Sequence, residues 1–524
     1  MKEFMKTHQV YLTPLTPIHI GCGEDFEPTN YVIDEGVLYH FEPSKLELSD
    51  SQIQQLLSYA NKSDLLSIQK FFQQNAKSVV GCANYFSSAA VGIEQDWKNK
   101  IGRVVNRESD GNNVIAKLSI ERTAYLPYQN QPYVTGSGFK GALVTAYLDD
   151  CHKKQGNPKV NGRDSKKIFT FYAGDFKTSK FKGVKFGDFL PENNVNTKVY
   201  YALNFKKVPN NKGGQGRGIP LRRECILPAQ YRAFKSNVTL WQDEKVFPIN
   251  HYFELLRNYN FSIFVKEMKL LLERGLIDRT WLASVFNLVN NENACLIRLG
   301  KNGADSKIYQ GDNVASIKIM QGKGKKPIFK DRATTVWLSG ERQNQENNLL
   351  PFGWALLEVD PQSDNNALKE WCNQNKVSGV NLDEIYQNQK QAQERIKLIE
   401  QERQQKLAEE QQALKEEQER LASLSENQRL IEQKLQAWED PQYEVKNYTD
   451  NSQIFVEAQA LVKQAISENW EQSDKDFLLA IFDHTDRQSV FNRKVGGLDL
   501  SKGAGKLKGK AKEFKQLLNQ LKGL

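Results

Sequence analysis

The residues best suited to chemistry in this 524-residue chain lie in short glycine turns that also carry cations. Residues 132–148 read PYVTGSGFKGALVTAYL: a strand-like start, a glycine turn, then an apolar helix. Gly136 and Gly138 permit positive φ and let a ligand approach the backbone. Ser137 can cap the helix, whose free first-turn amides favour an anion. Lys140 falls in that same turn, where a cation opposes the helix dipole unless an anion sits beside it. The GxxxxGK[ST] spacing of a Walker loop is missing. Glycine turns of this kind also serve tight strand–helix packing with no ligand at all.

Three other stretches repeat the combination. IHIGCGED places His19, Gly21 and Gly23 at the end of a strand-like run, and IRLGKNGADSK does the same with Arg298, Gly300, Lys301 and Lys307. GGQGRGIPLRRE adds Arg217, Arg222 and Arg223. A compact phosphate ligand needs one cradle. Several separate glycine-and-cation elements suit an extended polyanion laid across a surface, held through its backbone. Tyr133, Phe139, Phe205 and Phe234 lie near these loops and could stack on bases, although core packing is the ordinary fate of such rings.

Charge divides the chain in three. Residues 1–360 carry 48 Lys and Arg against 36 Asp and Glu (+12), residues 361–492 carry 15 against 25 (−10), and residues 493–524 carry 9 against 2 (+7). A basic body argues for a polyanionic partner. The six cysteines are scattered with no CxxC pair, which points to a reducing cytoplasm rather than a disulfide framework. The N-terminus lacks the apolar run of a secretory signal, and no stretch is apolar and long enough to span a membrane. No HExxH, HD, GGDD or Ser-His-Asp arrangement occurs, so no catalytic residue, metal ligand or cofactor is assigned.

The elements that must position these loops alternate between strand and helix, which favours an α+β fold. Val10, Leu12, Leu15, Ile18 and Ile20 read as a strand ending at Gly21-Cys22-Gly23. A hairpin follows around Asp34-Glu35-Gly36, then a helical region over residues 49–77 with Ile53, Leu56, Leu57, Leu65, Leu66 and Ile68 on its buried face. Residues 253–289 are helical and 349–359 close the body as a strand. Residues 361–384 read as a linker. Residues 385–440 read as one long charged helix or weak coiled coil, with Leu407, Leu414, Leu421, Gln428 and Leu435 at heptad a, and Glu410, Glu417, Leu424, Ile431 and Trp438 at d, where the two glutamates weaken the seam. Residues 441–492 form a small helical region and 493–524 a basic tail.

The ordered set LTPIHIGCGE, PYVTGSGFKGALVTAYL, KFGDF, RRECILPAQYRAF, IRLGKNGADSK and LPFGWALLE resembles the RAMP superfamily of CRISPR-associated proteins. The likeness is greatest to the fifth Csm-type subunits of type III-A effector complexes, over roughly residues 8–360. The resemblance implies ferredoxin-like, RRM-derived domains, CRISPR RNA (crRNA) and other effector subunits as partners, with target RNA within reach. It implies a scaffold role toward the 3′ end of the guide, in guide maturation and antiviral defence. It makes His19, Gly21 and Gly23 part of an RNA-facing loop, and Ser137, Gly138 and Lys140 a contact to guide phosphates. Arg298, Gly300, Lys301 and Lys307 become a second such contact, and residues beyond about 360 have no usual family counterpart. In backbone subunits of such complexes an aspartate after the first strand cleaves RNA with a metal. Asp25, flanked by Glu24 and Glu27, lies in the corresponding region and gives the alternative reading of an endoribonuclease. A third reading makes the 385–438 arm the main functional element. Asp188 in FGDF reads as a turn or capping residue.

Overall fold

The N-terminal strand, Met5–Pro14, is the centre of the first sheet, and its alternating exposure buries Val10 and Leu12. In the computed structural model the order across this sheet is Val184–Phe186, Phe234–Trp241, Met5–Pro14, Trp354–Val359, Cys295–Arg298, every neighbour antiparallel. The structure describes residues 4–107, 113–115, 117–156, 158, 165–175, 177–210, 213–215, 221–242, 245–290, 295–307, 317–321, 324–377, 381–502 and 506–523. Helices Gly136–Lys154 and Ile249–Glu273 pack against each other, and their apolar residues share one core with the sheet. Phe264 meets Trp354 edge-on at 5.2 Å between ring centroids, and Phe139 meets Phe253 at 6.4 Å.

The second sheet runs Gly21–Phe26, Ile120–Thr123, Leu221–Ile226, Thr197–Asn210, Tyr85–Ala89, Val37–His40, Tyr31–Asp34. It is mixed: Leu221–Ile226 pairs in parallel with Ile120–Thr123, and Thr197–Asn210 in parallel with Tyr85–Ala89. Gly21–Phe26 is its edge, with residues 21–25 exposed.

The chain divides into two units, Met1–Glu394 and Arg395–Leu524. The second has its own core, in which Trp438, Phe455, Phe482, Phe491 and Phe514 are buried.

Several expectations change. The first strand stops at Pro14; residues 15–20 are buried but irregular, because Leu15 and Thr16 give their amides to the Trp354 carbonyl rather than to a ladder. In the helical region 49–77, Ile53, Leu57 and Leu65 are exposed, while Phe71 and Phe72 take the core positions. Residues 361–384 are not merely a linker: helix Asn366–Gln374 buries Leu368, Trp371 and Cys372 in the body core, and Trp371 Nε1 donates to Ser284 Oγ at 3.0 Å. The arm is two helices, Leu382–Ser423 and Glu426–Trp438, separated where Ser425 and Gln428 form a capping box. Leu407, Leu414 and Leu421 are exposed, whereas Ile431 and Trp438 are buried in the second unit. The basic tail contributes Phe514, Leu518 and Leu521 to that same core. Strands Val104–Arg107 and Asn113–Ile115 pair antiparallel, and residues 108–112 between them lie outside the described residues.

Candidate nucleic-acid interface

Two of the glycine loops touch. Past strand Cys295–Arg298 the backbone turns sharply at Gly300, whose φ is +80°. A Cβ there would overlap the carbonyl oxygen of His19, and the next amide, Lys301 N, donates to that oxygen at 3.0 Å. The Lys301 side chain in turn lies over Gly21. Two loops far apart in sequence are thus joined backbone to backbone.

A carboxylate foreseen by no motif sits at their junction. Glu121, on strand Ile120–Thr123, accepts from Arg223 Nε at 2.9 Å and Nη2 at 3.0 Å, and from Lys301 Nζ at 2.9 Å. His19 Nε2 stands 3.5 Å away, at ion-pair rather than hydrogen-bond distance. The His19 imidazole, then Arg223 and Lys301, hold the Glu121 carboxyl well below the usual carboxylate range despite its partial burial. Arg223 Nη1 also donates to Asn302 Oδ1 at 2.5 Å. Three basic side chains share one acid, and Lys301 still has 48% of its side chain in solvent.

Beneath lies a buried layer. His19 is fully buried and its Nδ1 donates to the Glu224 carbonyl at 2.7 Å. The buried Glu224 carboxylate accepts from Tyr85, from Thr197 Oγ1 at 3.0 Å and from the Thr123 amide at 3.1 Å; burial raises its pKa. Arg122 lies over the rings of Tyr125 (3.3 Å to the centroid), Tyr85 (4.8 Å) and Phe26 (5.0 Å). His19 is therefore a support under the loop rather than part of its outer face.

The opening turn of helix Gly136–Lys154 already holds an anion of the chain's own. Asp188 Oδ1 accepts from the Gly136 amide at 2.6 Å, and a Cβ on Gly136 would overlap the Gly187 carbonyl. Thr135, not Ser137, is the N-cap, accepting from the Gly138 amide at 3.4 Å. Ser137, Gly138 and Lys140 remain exposed on the first turn. The turn Ala304–Lys307 lies against this helix and against Ile249–Glu273. Lys307 is exposed by surface area, yet surrounding protein, then Arg298 and Lys301, lower its ammonium pKa. The second glycine loop thus leads into a turn that packs on the helix the first one opens.

Other expected contacts resolve differently. Arg298 has 2% of its side chain exposed: Nη1 donates to Glu267 at 2.6 Å, Nε to the Phe352 carbonyl at 2.9 Å, and the guanidinium lies 4.8 Å from the Trp354 ring centroid. Arg222 points to the opposite face of its strand from Arg223, where it donates to Asp96 at 3.1 Å and to the Lys117 carbonyl at 3.0 Å. Both are internal braces, because a buried guanidinium must be paired. Arg217 lies outside the described residues. Gly23 is exposed with φ +88°. Phe139, Phe205 and Phe234 are core residues that offer no face to a base, and Tyr133 is half-buried. Asp25 is exposed on the edge strand, opposite Glu121 in register. Among the described residues no group of three or more His, Cys, Asp and Glu is arranged to hold a metal. Glu121, Asp96 and Glu267 belong to no motif, and each has charged neighbours in sequence (Arg122; Glu94 and Lys98; Lys266 and Lys269), so no local signal marks them as internal ion-pair partners.

A family model describing the RAMP superfamily matches residues 11–449, and the chain belongs to that superfamily. The match continues past residue 360, where the resemblance was expected to end, through both arm helices. Over 324 residues the chain is 24% identical to the "CRISPR system Cms protein Csm5" of Methanocaldococcus jannaschii, covering 57% of this chain and 71% of that protein. Among solved structures it is similar to a chain from a cryo-electron microscopy structure of a Csm-crRNA-target RNA ternary complex of a type III-A CRISPR-Cas system. That likeness has a TM-score of 0.41 and 16% identity, over 67% of this chain and 100% of the other. It is also similar to the Csm5 of T. onnurineus, with a TM-score of 0.38 and 15% identity over 66% of this chain and 99% of that one.

Proposed function

We propose that the chain is a crRNA-binding scaffold subunit of a type III, Csm-like effector complex, working in the cytoplasm without catalysing RNA cleavage itself. It holds the guide backbone toward its 3′ end and so supports guide maturation and antiviral defence. Membership of the RAMP superfamily and the likeness to a curated Csm5 support the complex. The strand order around Met5–Pro14, with helices Gly136–Lys154 and Ile249–Glu273 as crossovers, supports reading the first sheet as a ferredoxin-like domain. Among the described residues no helix is long and apolar enough to cross a membrane.

One observation carries the RNA contact: the loops at residues 19–23 and 299–303 lie against each other, leaving Gly21, Gly23 and Lys301 exposed beside the Glu121 cluster. Exposed glycine backbone and a solvent-facing ammonium suit a ribose-phosphate strand held without regard to sequence. Lys140, with the exposed first turn of its helix, continues the track. The test is single-stranded RNA binding by Lys140→Glu and Lys301→Gln across a salt series. Each variant is expected to weaken oligonucleotides of unrelated sequence alike and to flatten the log–log salt slope by about 0.7 for every phosphate no longer neutralised. Unchanged affinity and slope in both variants would refute the track.

A further inference from the structure

Lys140 also reaches a cavity of about 590 Å³, within the usual range of small-ligand sites of about 300–1,000 Å³. Lys182 and Lys185 enter it from the segment before and within strand Val184–Phe186, and Phe169, Phe181 and Trp241 supply ring surface. Lys185 Nζ stands 5.3 Å from the Trp241 ring centroid. All three lysines are exposed, and among the described residues none has a carboxylate within ion-pair distance. Asp175 is the acidic residue of the lining, and its Oδ1 is occupied by the Lys177 amide (3.0 Å), the Thr178 amide (2.8 Å) and the Thr178 hydroxyl (2.8 Å).

The two halves of this lining ask for two halves of one ligand. A purely apolar guest would strip water from three ammonium groups with nothing in return. An inorganic anion would leave the aromatic wall uncovered. A planar base joined to a phosphate satisfies both, by stacking and by charge. We infer that the cavity binds one nucleotide unit, its base against Phe169 and Trp241 and its phosphate among Lys140, Lys182 and Lys185. This rests on the RNA-binding reading above and deepens it, since Lys140 belongs to both surfaces and a strand crossing the helix start would turn one unpaired base into the cavity.

The full-length protein, K182E/K185E and K301Q are titrated by equilibrium dialysis with AMP, UMP, adenosine and a single-stranded RNA of about ten nucleotides. Melting curves check that the two exposed charge reversals leave the fold intact. AMP and UMP are expected to bind the unaltered protein and K301Q alike, and K182E/K185E at least about tenfold more weakly. Adenosine, lacking phosphate, should bind little to any of them. RNA binding by the unaltered protein without mononucleotide binding, or mononucleotide binding untouched by K182E/K185E, overturns the cavity while the RNA scaffold stands. Mononucleotide binding lost in K182E/K185E, with no RNA binding by any protein, keeps the cavity as a free-nucleotide site and overturns the scaffold. Failure to bind either ligand overturns both.

Discussion

Gly300 joins the two halves of the candidate interface because a side chain there would strike the His19 carbonyl and strain a backbone held at φ +80°. Gly300→Ala should lower stability by about 2 kcal/mol or more in urea unfolding and weaken RNA binding, since Lys301 loses its seat. Glu121 acts through charge. Its folded pKa lies below the unfolded carboxylate value, so its stabilisation is full above about pH 4.5 and drains away as the pH falls toward the folded value. Glu121→Gln should therefore flatten the loss of stability between about pH 5 and pH 3, read by denaturant midpoints across that range. Glu224 has the opposite sign: burial raises its pKa, so it favours folding at low pH and opposes it as the pH rises through and above the ordinary carboxylate range. A steeper acid limb in Glu121→Gln would show that the cluster does not hold the carboxylate ionised.

At the scale of elements, the glycine-loop helix is started by a residue from another segment. Asp188 lies 52 positions from the Gly136 amide it receives. Asp188→Ala should cost about 1 kcal/mol of stability in thermal or denaturant unfolding. The break in the arm has a comparable origin. Ser425 accepts from the Gln428 amide at 3.1 Å and donates to Asp474 Oδ1 at 2.6 Å, so it both starts helix Glu426–Trp438 and ties it to helix Gln472–Ile481. Ser425→Ala should destabilise the second unit by about 1–2 kcal/mol. An unchanged midpoint for its unfolding transition would count against the capping box as what separates the arm helices.

At the scale of the whole molecule, the unit boundary falls near residue 394, not 360. A chain ending at 394 should fold and keep the RNA affinity and salt slope of the full protein. One ending at 360 loses Leu368, Trp371 and Cys372 from the body core, and the Trp371 side chain alone accounts for about 3–5 kcal/mol. It should aggregate or melt at markedly lower temperature. Equal stability of the two truncations would contradict this assignment of helix Asn366–Gln374 to the body.

The hairpin at Asp34-Glu35-Gly36, the α+β class, the helices over 253–289 and the family itself were all legible in local pattern and short motifs. Periodicity and turn chemistry act over a few residues, and a run of residues records them directly. Tertiary structure decided which cations are free. Arg222 and Arg223 are adjacent in sequence and both buried, yet strand alternation sends them to opposite faces, one to Asp96 and the other to Glu121. Arg298 stands in a motif beside Lys301 but is consumed by Glu267. The fate of a charge depends on whichever opposite charge folding brings within a few ångströms, and that partner can come from anywhere along the chain.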